Sequence, residues 1–156
     1  MIVERRRCGQ REATNGEGHK TMASGTGNFK FSSWGETSYS EPEGGAKLTA
    51  AKVTNDFSGI IEGKGTLTYV MTYISEMTGE FFGYEQIEGR IGDRAGSFVL
   101  QHSGSFDGPK VIADLKVVPG SGSGDLTGLF GSGRFVSVHG EESTAYTFEY
   151  GVESGG

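Results

Sequence analysis

Hydrophobic and polar residues alternate with a period of two along most of the chain after residue 22. The clearest stretch covers residues 62–74, where Leu67, Tyr69 and Met71 fall on one face and threonines fall on the other. Successive side chains of a β-strand point to opposite faces, so this period indicates strands with one buried face. Glycine, proline and aspartate interrupt the pattern at short intervals, as expected where turns join strands.

The pattern predicts eight strands and no helix of ten residues. The strands cover residues 23–34, 47–58, 62–74, 78–91, 95–106, 110–118, 130–139 and 143–150. Short turn sequences such as Gly92-Asp93-Arg94 favour hairpins over crossover connections. We therefore predict an all-β meander closed into an eight-stranded antiparallel barrel, because closure removes the two unpaired edges. A β-sandwich is the alternative.

The glycine content supports the same fold class. Glycine supplies 28 of the 156 residues and aromatic side chains supply 17, so long helices are disfavoured while a core remains possible. Several glycines share the predicted inward face of the strands, which indicates space beside bulky aromatic side chains. These glycines are Gly25, Gly27, Gly63, Gly65, Gly83 and Gly89.

The first 22 residues differ from the rest of the chain. They are polar and aperiodic, so we predict a disordered N-terminal extension followed by one barrel domain over residues 23–156. The extension holds five basic and three acidic side chains, a net charge of +2. Because the total charge is −6, the remaining residues carry −8. An acidic body argues against nucleic-acid binding, which relies on basic surfaces that neutralise phosphates.

Localisation and cofactors follow from what the sequence lacks. No apolar run has the length of a membrane span, and no apolar stretch follows the arginines at positions 5–7 as a secretory signal requires, so we predict a cytoplasmic protein without membrane contact. Cys8 is the single cysteine, and His19, His102 and His139 have no ligand spacing. We therefore predict neither a metal nor another cofactor.

Several segments resemble a bacterial family catalogued as domain of unknown function 3224. The resemblance covers residues 25–150 and is carried by Trp34-Gly35-Glu36, Lys47-Leu48-Thr49, Phe82-Gly83-Tyr84-Glu85 and the segments 96–104 and 119–126. That family is related in fold to the allene oxide cyclases of plants, so the resemblance implies a closed eight-stranded barrel and often an oligomer. It implies no reaction, and carrying over cyclase activity would rest on fold analogy alone.

Polar residues on the predicted inward faces are the candidates for chemistry. Glu85 is in phase with Phe81 and Ile87, and His102 is in phase with Leu100. Burial of a carboxylate is costly unless it is paired, so we expect Glu85 to have a partner inside the barrel. If the turn after Ile74 centres on Met77, Tyr69 lies opposite Glu85. If the next turn centres between Asp93 and Arg94, Glu85 lies opposite His102. A shift of half a residue instead pairs Glu85 with Gln101 and turns His102 outward.

Two functions fit these residues. In the first, the barrel binds, isomerises or cyclises a small apolar molecule, with Glu85, His102 and Tyr69 as candidate acid–base groups. The candidate ligand-binding residues are Trp34, Tyr69, Tyr73, Phe81, Glu85, Phe98 and His102. In the second, the polar residues form only a structural network in a filled barrel. The strands near Val99 and Val118 are apolar on both faces, which implies that partner subunits or a wrapped loop cover them. We predict a homo-oligomer under either reading.

Overall fold

The computed structural model describes residues 22–153, which form a closed antiparallel barrel in which consecutive strands are neighbours and β8 returns to β1. The strands are β1 (Ala23–Ser40), β2 (Lys47–Gly59), β3 (Ile61–Tyr73), β4 (Thr78–Ile91), β5 (Arg94–Asp107), β6 (Lys110–Val117), β7 (Leu129–Val138) and β8 (Thr144–Val152). The predicted all-β meander barrel is confirmed, and the sandwich alternative is wrong. The predicted disordered extension lies, apart from Met22, outside the described residues.

The largest boundary error concerns β1, which continues to Ser40 and not to residue 34. Its far half is exposed on both faces, so it carries no hydrophobic alternation from which a strand could be predicted. β2 is the only strand that pairs with this half, from Phe31 opposite Asn55 to Ser40 opposite Leu48. β8 pairs with β1 only as far as Phe29. The far half of β1 therefore forms a wall that is hydrogen-bonded along one edge.

The two ends of the barrel differ in packing. At the end where β1 and β3 begin, the interior is filled by apolar side chains that are at most 1% exposed. These are Ile61, Ile87, Ile91, Phe98, Leu126 and Phe148. Leu126 belongs to the one helical turn, Gly124–Leu126, that follows β6. No helix among residues 22–153 is long and apolar enough to cross a membrane. The opposite end of the barrel is open.

The predicted register of the central hairpins is wrong by two residues. Tyr69 lies opposite Gly83 and not Glu85, while Glu85 lies opposite Leu100 and not His102 or Gln101. The β4–β5 connection is a two-residue turn whose first residue, Gly92, has a φ of 62°, the left-handed value that tight hairpins favour. Because the error is an even number of residues, each side chain keeps its predicted face.

The Ser75 side chain explains the other displaced turn. Its Oγ accepts hydrogen bonds from the backbone N–H groups of Met77 and Thr78, at 3.2 and 3.1 Å. These bonds hold the β3–β4 connection in a compact turn between the paired residues Tyr73 and Gly79. The turn therefore centres on position 76, one residue earlier than the sequence analysis predicted.

Inward glycines accommodate aromatic side chains from adjacent strands. A Cβ on Gly83 would lie 2.9 Å from the Tyr69 ring, and one on Gly104 would lie 2.6 Å from the Phe81 ring. An aromatic side chain thus covers the inward surface of a neighbouring glycine, a device that also protects the strand backbone. Among the glycines of the predicted inward pattern, Gly83 is covered by Tyr69 and Gly27 by Tyr146, so at these positions the expected space is filled.

Candidate functional site

The open end of the barrel contains a cavity of about 750 Å³. Eight of its 23 lining residues are aromatic, namely Phe29, Phe31, Trp34, Tyr69, Tyr73, Phe81, Phe106 and Phe135. The far half of β1 contributes Trp34, whose ring centroid lies 5.0 Å from that of Phe31 and 6.0 Å from that of Tyr69. The volume falls in the range of about 300–1,000 Å³ that is usual for small-molecule sites.

Tyr69 connects this cavity to the polar interior. Tyr69 on β3 and His102 on β5 both pair with Gly83, one on each side of it. The missing side chain at Gly83 lets the Tyr69 ring cross β4, and its hydroxyl lies 3.0 Å from His102 Nδ1. A residue of the cavity wall is thereby hydrogen-bonded to a histidine that is only 2% exposed.

Behind Tyr69, a buried hydrogen-bonded path continues through three further side chains. His102 Nε2 lies 2.8 Å from Glu85 Oε1, and Asn55 Nδ2 donates to Glu85 Oε2 at 2.7 Å. Glu85 is fully buried and Asn55 is 1% exposed. The two partners of Glu85 supply the hydrogen bonds that a buried carboxylate requires. We call the four residues Tyr69, His102, Glu85 and Asn55 the relay.

Asn55 is a member of the site that the sequence analysis missed. It lies on the inward face of β2 between Val53 and Phe57, and this phase in the alternation was the available signal. Its Oδ1 atom is buried and has no hydrogen-bond partner among the described residues. Asn55 therefore serves as a donor to Glu85, while its own acceptor is unpaired.

The relay keeps the Tyr69 hydroxyl protonated. Burial, together with the negative charge of Glu85, raises the pKa of Tyr69 well above its usual value of 10.0. When the Glu85 carboxylate is ionised it only accepts hydrogen bonds, and His102 Nε2 then carries the proton directed at it. In the neutral imidazole Nδ1 is then an acceptor, and the Tyr69 hydroxyl donates to it. The Tyr69 oxygen retains acceptor capacity of its own.

A second polar group, built around Glu36 on the far half of β1, lines the same cavity. Glu36 Oε2 accepts hydrogen bonds from Tyr73 at 2.5 Å and from Thr49 at 2.8 Å, and Oε1 accepts one from Trp34 Nε1 at 3.2 Å. Burial raises the pKa of Glu36, but these three bonds and the charge of Lys47 outweigh that effect and lower it overall. Glu36 thus fastens the far half of β1 to β2 and β3.

The structure brings some of the predicted site residues together and separates one from them. Tyr69, Glu85 and His102 form the predicted cluster, although through a different register. Trp34, Tyr69, Tyr73 and Phe81 line the cavity, whereas Glu85 and His102 lie behind Tyr69. Phe98 lies instead in the filled end and is not part of the cavity wall. Within residues 22–153, no three histidine, cysteine or acidic side chains are grouped as a metal site would need.

The fold and this site define a small closed β-barrel with one filled end and one open, aromatic end. A family model described as a protein of unknown function, DUF3224, matches residues 25–150, and the chain belongs to this family. The crystal structure of a protein with unknown function from the DUF3224 family of Shewanella oneidensis MR-1 is similar, with a TM-score of 0.68. The two chains are 28% identical over 86% of this chain and 100% of that chain. No curated protein matches the chain.

Proposed function

We propose that the barrel binds a small, largely apolar molecule in the open cavity. The observation that carries this proposal is the aromatic cavity of about 750 Å³ with Tyr69 in its wall, backed by a buried histidine–carboxylate pair. Binding sites for small molecules are typically apolar clefts with a few polar groups that orient the ligand.

The chemistry of the wall favours a ligand with an apolar or aromatic body. Phe29 and Phe135 pack edge to face at 5.1 Å, and Tyr69 and Phe81 do so at 4.9 Å, so the rings support one another. Such rings present apolar surface at a small cost in conformational entropy because they are already fixed. A ligand gains affinity here chiefly by removing its own apolar surface from water.

The Tyr69 hydroxyl supplies one hydrogen-bonding contact for the polar end of the ligand. With neutral His102 it offers acceptor capacity, and with protonated His102 the Nδ1–H donates to Tyr69, whose own proton is then free to be donated. A single oxygen or nitrogen function on an otherwise apolar molecule matches this contact. The Glu36 carboxylate already has three donors and serves mainly to hold the wall.

Binding is tested with N-phenyl-1-naphthylamine, a neutral fluorescent probe of apolar cavities. We expect a saturable increase in the emission of the probe, with one probe per chain. Val111→Trp adds bulk in the cavity wall and should abolish the increase, while Val136→Trp, at a position 44% exposed and outside the wall, should leave it intact. An equal response of the two variants, each shown by circular dichroism to be folded, would contradict the proposal.

Self-association is a second candidate function, supported by an apolar patch on the outer face of β3 and β4. Val70 and Phe82 are paired across these strands and are 47% and 37% exposed, and Tyr84 packs edge to face on Phe82 at 5.4 Å. Exposed apolar patches of this kind often form contacts between proteins. Sedimentation velocity should show an oligomer that Phe82→Ser dissociates and Ile74→Ser does not. A monomer at micromolar concentration would refute this candidate.

The finer expectations from the family resemblance stay predictions. A relation to the allene oxide cyclases supports a search for isomerising or cyclising activity on the bound molecule, as a fold analogy. A cytoplasmic location likewise stays a prediction. The cavity and the outer patch make separate demands on the chain, so ligand binding and self-association are independent proposals.

A further inference from the structure

The relay is a continuous chain of hydrogen-bonded side chains that starts in the cavity wall. Its members come from four consecutive strands, with Asn55 on β2, Tyr69 on β3, Glu85 on β4 and His102 on β5. Each contact along the path from Tyr69 to Asn55 is between 2.7 and 3.0 Å. The path begins at Tyr69 in the cavity wall, passes through the fully buried Glu85 carboxylate and ends at Asn55.

The order of groups is hydroxyl, imidazole, carboxylate. In this order an imidazole removes the proton of a hydroxyl while the carboxylate orients the ring and stabilises the imidazolium that forms. Here the hydroxyl belongs to the phenol of Tyr69, which stays protonated when the cavity is empty. Its role is therefore to transfer a proton between the bound molecule and His102. When a proton reaches His102, the imidazolium lies 2.8 Å from the Glu85 carboxylate, which stabilises its positive charge.

We propose that the relay moves protons to and from the bound molecule, so that the protein catalyses a proton shift in a small carbonyl compound. This inference rests on the proposed function, since the compound must first occupy the cavity. Tyr69 is the catalytic residue because it is the relay member in the cavity wall. His102 and Glu85 act through Tyr69.

The step balances without any other reactant. A proton leaves the carbon next to the carbonyl group for Tyr69 Oη, while the Tyr69 proton moves to His102 Nδ1. The electron pair of the broken C–H bond is delocalised onto the carbonyl oxygen as an enolate, and imidazolium forms beside the Glu85 carboxylate. Return of a proton by the same path to a different atom of the enolate gives the isomer, and nothing is oxidised or reduced.

Other charged groups lie along the cavity and contribute to its field. Lys30, Glu36, Glu76, Glu141 and Glu142 line it, as does His139, and all are exposed to solvent. The buried charged and polar residues are Glu85, His102, Asn55, Thr49 and Thr144. Tyr146 is also buried and titratable, but it does not line the cavity. A pH dependence of catalysis that requires a buried group next to the cavity therefore originates in the relay, and the exposed groups contribute a salt-dependent background.

The test uses the full chain and 2-tetralone, a neutral bicyclic ketone, in D₂O. Loss of the signal of the hydrogens next to the carbonyl group is followed by NMR, and binding is followed by displacement of N-phenyl-1-naphthylamine. We expect the protein to accelerate exchange by about a hundredfold over buffer, a usual size for acid–base catalysis. Tyr69→Phe should abolish the acceleration, while displacement by 2-tetralone persists and weakens by about tenfold at most, the loss of one hydrogen bond. Tyr39→Phe, 60% exposed, should leave both intact.

Glu85→Gln separates participation in the relay from a structural role. As a relay member, Glu85 sets the pH dependence of exchange, so the variant should show a shifted profile. A decrease by the same factor at every pH overturns the role of Glu85. Undiminished exchange in Tyr69→Phe, or no acceleration by the unmodified chain, overturns the inference as a whole. In either case continued binding of the naphthylamine leaves the proposed function standing, while loss of that binding refutes both.

Discussion

The Glu85 carboxylate occupies the space that a side chain at Gly65 would need. A Cβ on Gly65 would lie 2.0 Å from Glu85 Oε2, and the same oxygen accepts the hydrogen bond from Asn55, the strand partner of Gly65. The glycine on β3 thus allows Glu85 on β4 to reach across to β2. The buried relay depends on the absence of a methyl group as much as on the groups that form it.

Gly65→Ala is therefore expected to lower the free energy of unfolding by about 1–3 kcal/mol, the usual cost of overpacking a core. The matched control is Gly35→Ala on β1, where an added Cβ meets no atom within 4 Å and the change should stay within about 0.5 kcal/mol. Urea denaturation of both variants measures the difference. Equal effects would mean that Glu85 moves aside freely.

Removal of the carboxylate itself should have a larger effect. Glu85→Ala leaves Asn55 Nδ2 and His102 Nε2 buried without their acceptor, which we expect to cost about 3 kcal/mol or more. Glu88→Ala removes a carboxylate from the exposed face of the same strand and should cost less than about 0.5 kcal/mol. A small effect at Glu85, measured by the same urea titration, would show that its hydrogen bonds are dispensable.

The Tyr146 hydroxyl provides a test in the core away from the relay. It accepts a hydrogen bond from the Ile61 N–H at 3.0 Å and donates to the Ser58 carbonyl oxygen at 3.2 Å. Tyr146→Phe leaves the Ile61 N–H buried and unpaired, so we expect a loss of about 1–2 kcal/mol in thermal or urea unfolding. Tyr39→Phe, with the side chain 60% exposed, should change stability by less than about 0.5 kcal/mol.

Ionisation of Tyr73 reports on the group around Glu36. Burial and the hydrogen bond to Glu36 raise the pKa of Tyr73 from 10.0 to about 12. The folded state thus holds this proton more tightly than the unfolded chain does. The resulting contribution to stability is complete below pH 10 and is lost as the pH rises through 12. Glu36→Gln removes the charge and should lower the pKa of Tyr73.

Alkaline titration of phenolate absorbance measures this change, and the difference from Tyr73→Phe isolates the signal of that side chain. Glu43→Gln, an exposed carboxylate in the β1–β2 connection, is the control and should leave the titration unaltered. A Tyr73 signal that titrates identically in the Glu36→Gln variant would mean that burial alone sets its pKa.

The fold was predictable because its information is local. Two-residue alternation located every strand, and residues such as Leu67, Tyr69 and Met71 occupy the buried face that the alternation predicts. The far half of β1 was not predicted because its residues are exposed on both faces and show no two-residue hydrophobic alternation. Register was off by two residues because turns at Ser75 and Gly92 are fixed by hydrogen bonds and backbone angles that alternation does not encode.

The site was predictable in part for the same reason. Glu85 and His102 stood out as polar residues within apolar faces, and an even register error kept them on the inside. Glu85 and His102 lie on adjacent strands but are not directly opposite each other. Their side chains are long enough to meet diagonally, which strand pairing alone does not predict. The contact of Asn55 with Glu85 across Gly65 involves three strands. The alternation of residues along a single strand gives no information about such a contact.

The contrast between the two ends of the barrel has a consequence for how such a protein diverges. Residues such as Ile91, Phe98 and Phe148 secure the closed end, whereas Trp34 and Phe106 face the cavity. Phe29, Tyr69 and Phe135 line the cavity and also belong to the buried core, so mutations there cost stability. Mutations of the exposed part of the wall, such as Trp34, change the shape and polarity of the cavity and remove less packing. The exposed part of the open end can therefore change its binding specificity during evolution, while the packing of the closed end keeps the fold.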